Sequence, residues 1–183
     1  VPLVRMLDEA LTAGMVEYVT WQVLAWHRRA AEYRAQQAAA VWRPRAQKPA
    51  RERTIGILGL GVLGSAAAAA LSGLGFRVLG WTRTPRPVEG VEVHVGRAEF
   101  GAMLAQCECL VCLLPLTTET RGILDRSAFA LLPRGAYVVN AARGGHLVDG
   151  DLLAALRDGH IAGASLDVFA EEPLPAGHPF WHH

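Results

Sequence analysis

The stretch TIGILGLGVLGSAAAAAL, residues 54–71, decides the fold. Thr54 through Leu58 reads as a short apolar strand, Gly59-Leu60-Gly61-Val62-Leu63-Gly64 as a glycine-rich turn, and Ser65 through Leu71 as the opening of a helix. A GxGxxG pattern alone says little. Between a strand and a helix it has a mechanical meaning: Gly59 permits the tight turn, Gly61 removes a side chain that would block a pyrophosphate, and Gly64 lets the helix pack closely on the sheet. Backbone N–H groups at the helix start, those of Val62 and Leu63 among them, then face an anion. The alanines from Ala66 to Ala70 suit a close helix contact and suit plain helix propensity equally.

Outward from this unit, short apolar runs alternate with helical stretches, the pattern of a parallel sheet covered on both faces. Strands are expected near 54–58, 76–81, 91–95, 109–114, 136–140 and 161–166, and helices over 62–74, 98–106, 124–131 and 149–158. The fold class is therefore α/β, a Rossmann-type doubly wound parallel sheet. A long helix is expected over 13–40, rich in alanine, with Val16, Val19, Trp21, Val23, Leu24 and Trp26 as its apolar residues. Arg43-Pro44-Arg45-Ala46-Gln47-Lys48-Pro49 breaks that helix and reads as a linker. Residues 1–50 are accordingly assigned to an interdomain or dimerisation helix and linker, and residues 51–183 to a dinucleotide-binding domain.

With 183 residues, 51% of them hydrophobic and 19% charged, the chain has the composition of an ordinary globular domain. A formal net charge of +1 provides no broad field for nucleic acid or an anionic membrane. No apolar run approaches the roughly 18–20 residues that cross a bilayer. The opening Val1-Pro2-Leu3-Val4-Arg5 lacks the order of a signal peptide, so a cytoplasmic location is expected. Cys107, Cys109 and Cys112 fall in the apolar run CECLVCLLPL, read as a buried strand with Cys107 and Cys109 on one face and Cys112 on the other. Three metal ligands cannot easily converge from there, and the cysteines read as small apolar residues.

The second strand should end beside an adenosine ribose, where an NAD enzyme normally carries an acidic residue. Here stand Thr82 and Arg83. A threonine can hydrogen-bond a 2′-phosphate and a guanidinium can pair with it, so NADPH is favoured over NADH, with Arg86 as a further cation. Arg83 could otherwise be a solvated loop cation. After the fifth strand comes Asn140-Ala141-Ala142-Arg143-Gly144-Gly145, at the sheet edge where this fold binds ligands. The planar guanidinium of Arg143 suits a substrate carboxylate and can polarise an adjacent carbonyl. His27, His94, His146 and His160 have no ligand spacing.

Taken with LLPLTTET at 113–120 and LDVFAEEPLP at 166–175, the GLGVLG and NAARGG motifs resemble the D-isomer-specific 2-hydroxyacid dehydrogenases. The resemblance includes the opening VPLVRMLDEALTAGMVEYVTWQVL, and within the family it looks closest to the A-type glyoxylate/hydroxypyruvate reductases, which favour NADPH. It implies hydride transfer to a 2-keto acid substrate, with Arg143 on the substrate's carboxylate and carbonyl and Glu172 paired with a catalytic histidine. It also implies that Asp167 lies near the nicotinamide carboxamide, that Leu114, Pro115 and Thr120 run along the cofactor, that Ala141 lies at the cofactor site, and that the protein is a homodimer. The family's histidine falls farther beyond the glutamate than His183, and its substrate domain is built largely from sequence preceding this one. These 183 residues are thus expected to bind cofactor but not to turn over alone. A non-catalytic dinucleotide-sensing module of the same fold, corepressor-like, is the alternative.

Overall fold

A computed structural model describes residues 9–183; the opening residues 1–8, included in the resemblance above, lie outside the described residues. Helix α1 (Glu9–His27) and helix α2 (Ala30–Ala38) precede strand β1 (Thr54–Leu58) and helix α3 (Val62–Gly73). Strands β2 (Arg77–Thr82) and β3 (Val91–Val95), helix α4 (Gly96–Leu104), β4 (Cys109–Cys112), α5 (Arg126–Leu131), β5 (Ala136–Asn140), α6 (Asp149–Arg157) and β6 (Ile161–Leu166) follow. All pairings are parallel, in the order β3-β2-β1-β4-β5-β6. This is the doubly wound order in which the chain leaves β1 toward one edge and resumes at β4 toward the other.

The expected strands all form, and β1, β3, β5 and β6 keep their expected limits. Two helices start elsewhere for local reasons. Helix α4 begins directly after β3, because the Glu99 carboxylate accepts the Val95 N–H at 2.7 Å and caps the helix from within its first turns. Helix α5 begins after Asp125, whose carboxylate accepts the Ala128 N–H at 2.9 Å. Leu124, expected to be helical, instead bridges to Leu147.

The long helix expected over 13–40 is two helices. Arg29 adopts a left-handed conformation, φ 57°, which a non-glycine residue enters only at a cost of roughly 1–2 kcal/mol. The turn redirects α2 so that Glu32 pairs with Arg29 and Arg45, while the Tyr33 hydroxyl accepts the Arg45 N–H at 3.1 Å. These contacts hold residues 41–49 along α2. Neither proline nor glycine marks the break, so residue preference did not reveal it.

Strand alternation divides the core between the two faces of the sheet. Leu58, Leu79, Leu110, Cys112 and Val138 pack with Met103, Phe129 and Leu152 from α4, α5 and α6. Ile55, Ile57, Val78, Val111 and Val139 pack with Ala67, Ala68 and Leu71 of α3 and with Val19 and Val23 of α1. Val19, Val23 and His27 recur every four residues and form the buried stripe of α1. The cysteine reading needs correction. Cys107 lies before β4 and shares a layer with Cys112, whereas Cys109 faces the other layer. The Cys107 thiol donates to the Met103 carbonyl at 3.1 Å, a helix-end contact outside strand alternation. All three thiols are free and buried, and burial pushes Cys107 and Cys112 up to about 12, so they carry no thiolate chemistry near neutrality.

Glu108 ties the linker to the sheet. Its carboxylate accepts Lys48 Nζ and Arg53 Nη1, each at 3.0 Å, and the Thr54 N–H at 3.2 Å. Burial alone would raise its pKa. The hydrogen bonds from Lys48 and Thr54 and the charge of Arg53 outweigh that, holding the carboxyl below the usual range.

His27 is buried at the end of α1, its ring edge-on to Phe76 at 5.1 Å, with Nδ1 lacking a hydrogen-bond partner. Burial, then the charges of Arg53 and Arg28, lowers its pKa, with Glu108 opposing. The folded chain thus holds His27 neutral, and this contribution is complete above the unfolded-state pKa of about 6.5. It is lost as pH falls from there through the lowered folded value. Urea midpoints at pH 7.5 and 5.5 should therefore drop further for the wild type than for H27Q; equal drops would assign the acid sensitivity elsewhere.

Candidate cofactor and substrate site

Every candidate cofactor or substrate residue lies at or just beyond the carboxyl end of a strand. Gly59–Gly64 follow β1, Thr82 ends β2 and Arg83 follows it, Leu114–Thr120 follow β4, Ala141–Arg143 follow β5, and Asp167 and Glu172 follow β6. The sheet order sets the first and third of these side by side at the switch point.

Gly59 has φ +97°, in the region that favours glycine, and its N–H donates to the Trp81 carbonyl at 2.9 Å. A Cβ there would stand 2.9 Å from the Leu113 carbonyl oxygen, so Gly59 also lets the segment after β4 approach. At Gly64 a Cβ would overlap the carbonyl of Gly59, and the Ile57 side chain would lie 3.6 Å away. The close contact is thus chiefly between the helix and its own turn. Gly61 differs: a Cβ there would meet nothing within 4 Å. Its missing side chain leaves open space in front of the start of α3, where Val62 is half exposed and no side chain caps the helix. The first helical N–H groups therefore point at an accessible volume, the arrangement that receives a phosphate.

The segment after β4 is held by its threonines. Thr120 is buried; its hydroxyl donates to the Pro115 carbonyl at 2.7 Å and accepts the Thr117 N–H at 2.8 Å. Leu114 is buried beneath this turn and Pro115 is exposed on it. Across from it, the Arg83 guanidinium reaches the Glu119 carboxylate at 3.4 Å.

Asn140 is fully buried at the end of β5 and organises the next turn: its amide donates to the Arg143 carbonyl at 3.1 Å and accepts the Ala142 N–H at 3.2 Å. Ala141 and Ala142 are buried, whereas Arg143 is exposed and folds back to donate to the Ala142 carbonyl at 2.6 Å. Buried His146 faces the Arg143 carbonyl through Nδ1 at 3.0 Å. A Cβ on Gly144 would overlap the backbone of Phe169 and Ala170, so the turn carrying Arg143 lies directly against the loop carrying Asp167 and Glu172. The Asp167 N–H donates to the Asn140 carbonyl at 3.0 Å. Glu172 is exposed, and its Oε1 accepts the Phe169 N–H at 2.9 Å. Helix α1 packs beside β6, where the Ser165 hydroxyl donates to Gln22 Oε1 at 2.6 Å, and burial, followed by the charge of Asp167, pushes the Tyr18 phenol up to about 12.

Sequence reading quoted Asn140, Gly144 and Glu119 within motifs but gave none of them a role of its own. Asn140 had a readable signal, since an amide ending the apolar run AYVVN must find partners once buried. The contacts of Gly144 and Glu119 join segments distant in the chain and leave no local trace. Among the described residues no group of three or more His, Cys, Asp or Glu is placed to hold a metal ion, and no helix is long and apolar enough to cross a membrane.

Residues 20–183 match the family described as D-isomer specific 2-hydroxyacid dehydrogenase, NAD binding domain. Glyoxylate/hydroxypyruvate reductase A of Yersinia enterocolitica is 47% identical over 183 residues, and that of Serratia proteamaculans 46% identical; the match takes in 100% of this chain and 58% of each relative. A D-isomer specific 2-hydroxyacid dehydrogenase from Xanthobacter autotrophicus, solved with NADPH and MES, superposes with a TM-score of 0.98 at 43% identity over 100% of this chain and 76% of its own. An NADPH-dependent glyoxylate/hydroxypyruvate reductase from Sinorhizobium meliloti, solved with NADP and sulfate, gives 0.97 at 44% identity over 100% and 59%. With its parallel sheet, its glycine turn and a match over residues 20–183, this chain belongs to the D-isomer specific 2-hydroxyacid dehydrogenase family and represents its NAD binding domain.

Proposed function

We propose that this chain is the NADPH-binding portion of a reductase that converts a 2-keto acid of the glyoxylate or hydroxypyruvate type into a 2-hydroxy acid. The observation that carries the reading is the contact at Gly144, which sets the Arg143 turn against the Asp167–Glu172 loop on the sheet edge that also carries the open glycine turn. The relatives named above, glyoxylate/hydroxypyruvate reductases by name, support the substrate class. Bound NADPH supplies the hydride.

In this reading the space at Gly61 admits the pyrophosphate, and the N–H groups of Val62 and Leu63 face it at the positive end of α3. Gly59 and Gly64 keep turn and helix together. Thr82 and Arg83 receive the 2′-phosphate. Leu114, Pro115 and Ala141 line the cofactor, Thr120 fixes the shape of that wall, and Asp167 takes the nicotinamide carboxamide. Arg143 leaves its bond to the Ala142 carbonyl to clamp the substrate carboxylate, exchanging a neutral acceptor for a charged one. Glu172, anchored by the Phe169 N–H, favours the protonated form of a histidine supplied by sequence outside these residues.

The reading places residues 1–50 in an interdomain and dimerising role and residues 51–183 in the cofactor domain of a cytoplasmic homodimer. Support for a self-association surface comes from Trp21 and Trp42, which are 57% and 97% exposed.

Three results test this. Calorimetric titration of the purified chain should show NADPH bound at least about tenfold more tightly than NADH, a difference of about 1.4 kcal/mol, and the preference should vanish in R83D; a folded chain that ignores both cofactors would refute the site. In an enzyme comprising this chain and its substrate domain, R143Q should lower kcat/KM for glyoxylate by about 10²–10³, as expected for removing a charge-assisted contact to the reacting group. Light scattering at tens of micromolar should give twice the chain mass, and a monomeric mass would remove the dimer from the proposal.

A further inference from the structure

Arg83 and Glu119 lie on the segments after β2 and β4, the two strands that flank β1 and its glycine turn. Arg83 directly follows Thr82, the last residue of β2, which is paired in register with Val95. Glu119 sits inside the turn that Thr117 and Thr120 lock, one residue before the buried Thr120. Both side chains thus extend from fixed backbone, and they meet at 3.4 Å with 77% and 70% of their surfaces exposed. An ion pair this exposed is weak, so a stronger anion can displace it. A 2′-phosphate carries more charge than a carboxylate and presents several acceptor oxygens to the same guanidinium.

We propose that Glu119 is a specificity-determining residue, which holds Arg83 in competition with the 2′-phosphate and so sets how strongly NADPH is preferred over NADH. This rests on the reading of Arg83 as the partner of the 2′-phosphate. When NADPH binds, the phosphate takes Arg83 from Glu119, and the loss of that ion pair works against NADPH. NADH has no such phosphate and leaves the pair intact. Glu119 thus moderates a selectivity that Arg83 alone would make steeper.

The test is a set of calorimetric titrations with NADPH and with NADH on the wild-type chain, E119Q, R83Q and the double variant. E119Q should tighten NADPH by about 1.5- to 5-fold, the range spanned by exposed ion pairs, and leave NADH unchanged. In the R83Q background the same substitution should have no effect on NADPH. Unchanged or weaker NADPH binding in E119Q overturns the proposal. Equal tightening with and without Arg83 overturns it too, because Glu119 would then act directly on the phosphate. R83Q alone reports on the underlying reading: if it retains the NADPH preference, both inferences fall, whereas if it loses the preference while E119Q is inert, only the role of Glu119 does.

Discussion

The structure turns on the contact between the start of helix α3 and the turn that precedes it. A Cβ at residue 64 would occupy the place of the Gly59 carbonyl, so helix and turn can meet only where the side chain is a hydrogen atom. That approach draws the amino end of α3 to the carboxyl edge of β1 and leaves its first N–H groups facing the space that Gly61 keeps open. The buried alanines Ala67 and Ala68 continue the approach along the helix, and helix α1 seats Val19 and Val23 in the same layer. A larger residue at 64 would lift the helix from the turn and lose both the packing and the anion site.

A second close approach organises the other half of the edge. Gly144 lets the backbone after β5 lie against that of Phe169 and Ala170, and Asn140 satisfies the turn from beneath. A buried amide is costly unless its bonding capacity is used, and Asn140 uses its side chain for the Arg143 and Ala142 backbones while its own carbonyl accepts the Asp167 N–H. The exposed Arg143 thus stands on a turn that Asn140 anchors, with its guanidinium bonded to the Ala142 carbonyl.

Much of this architecture is legible in the chain's pattern of residues. Parallel strands buried on both faces read as continuous apolar runs, and the glycine turn marks where the first of them ends, so the strands and their order follow from pattern and topology. Arg143 and Arg83 are legible because they are charges at strand ends. The split of the long helix is not, since Arg29 enters its left-handed conformation to satisfy contacts of Glu32 and Tyr33 with the linker rather than by its own preference. The facing of Cys107 escapes strand alternation because the residue lies outside β4, in a turn where period two does not hold.

By itself, the sequence determined the periodicities, the glycine positions and the chemical types available at each strand end, because these depend on residues close together in the chain. Only the tertiary structure decided which of those residues meet. The pairing of Arg83 with Glu119, the contact of Gly144 with residues 169–170 and the anchoring of Lys48 and Arg53 on Glu108 each join segments separated in sequence. Such contacts form once the sheet order has set the carboxyl ends side by side, and no local preference encodes them.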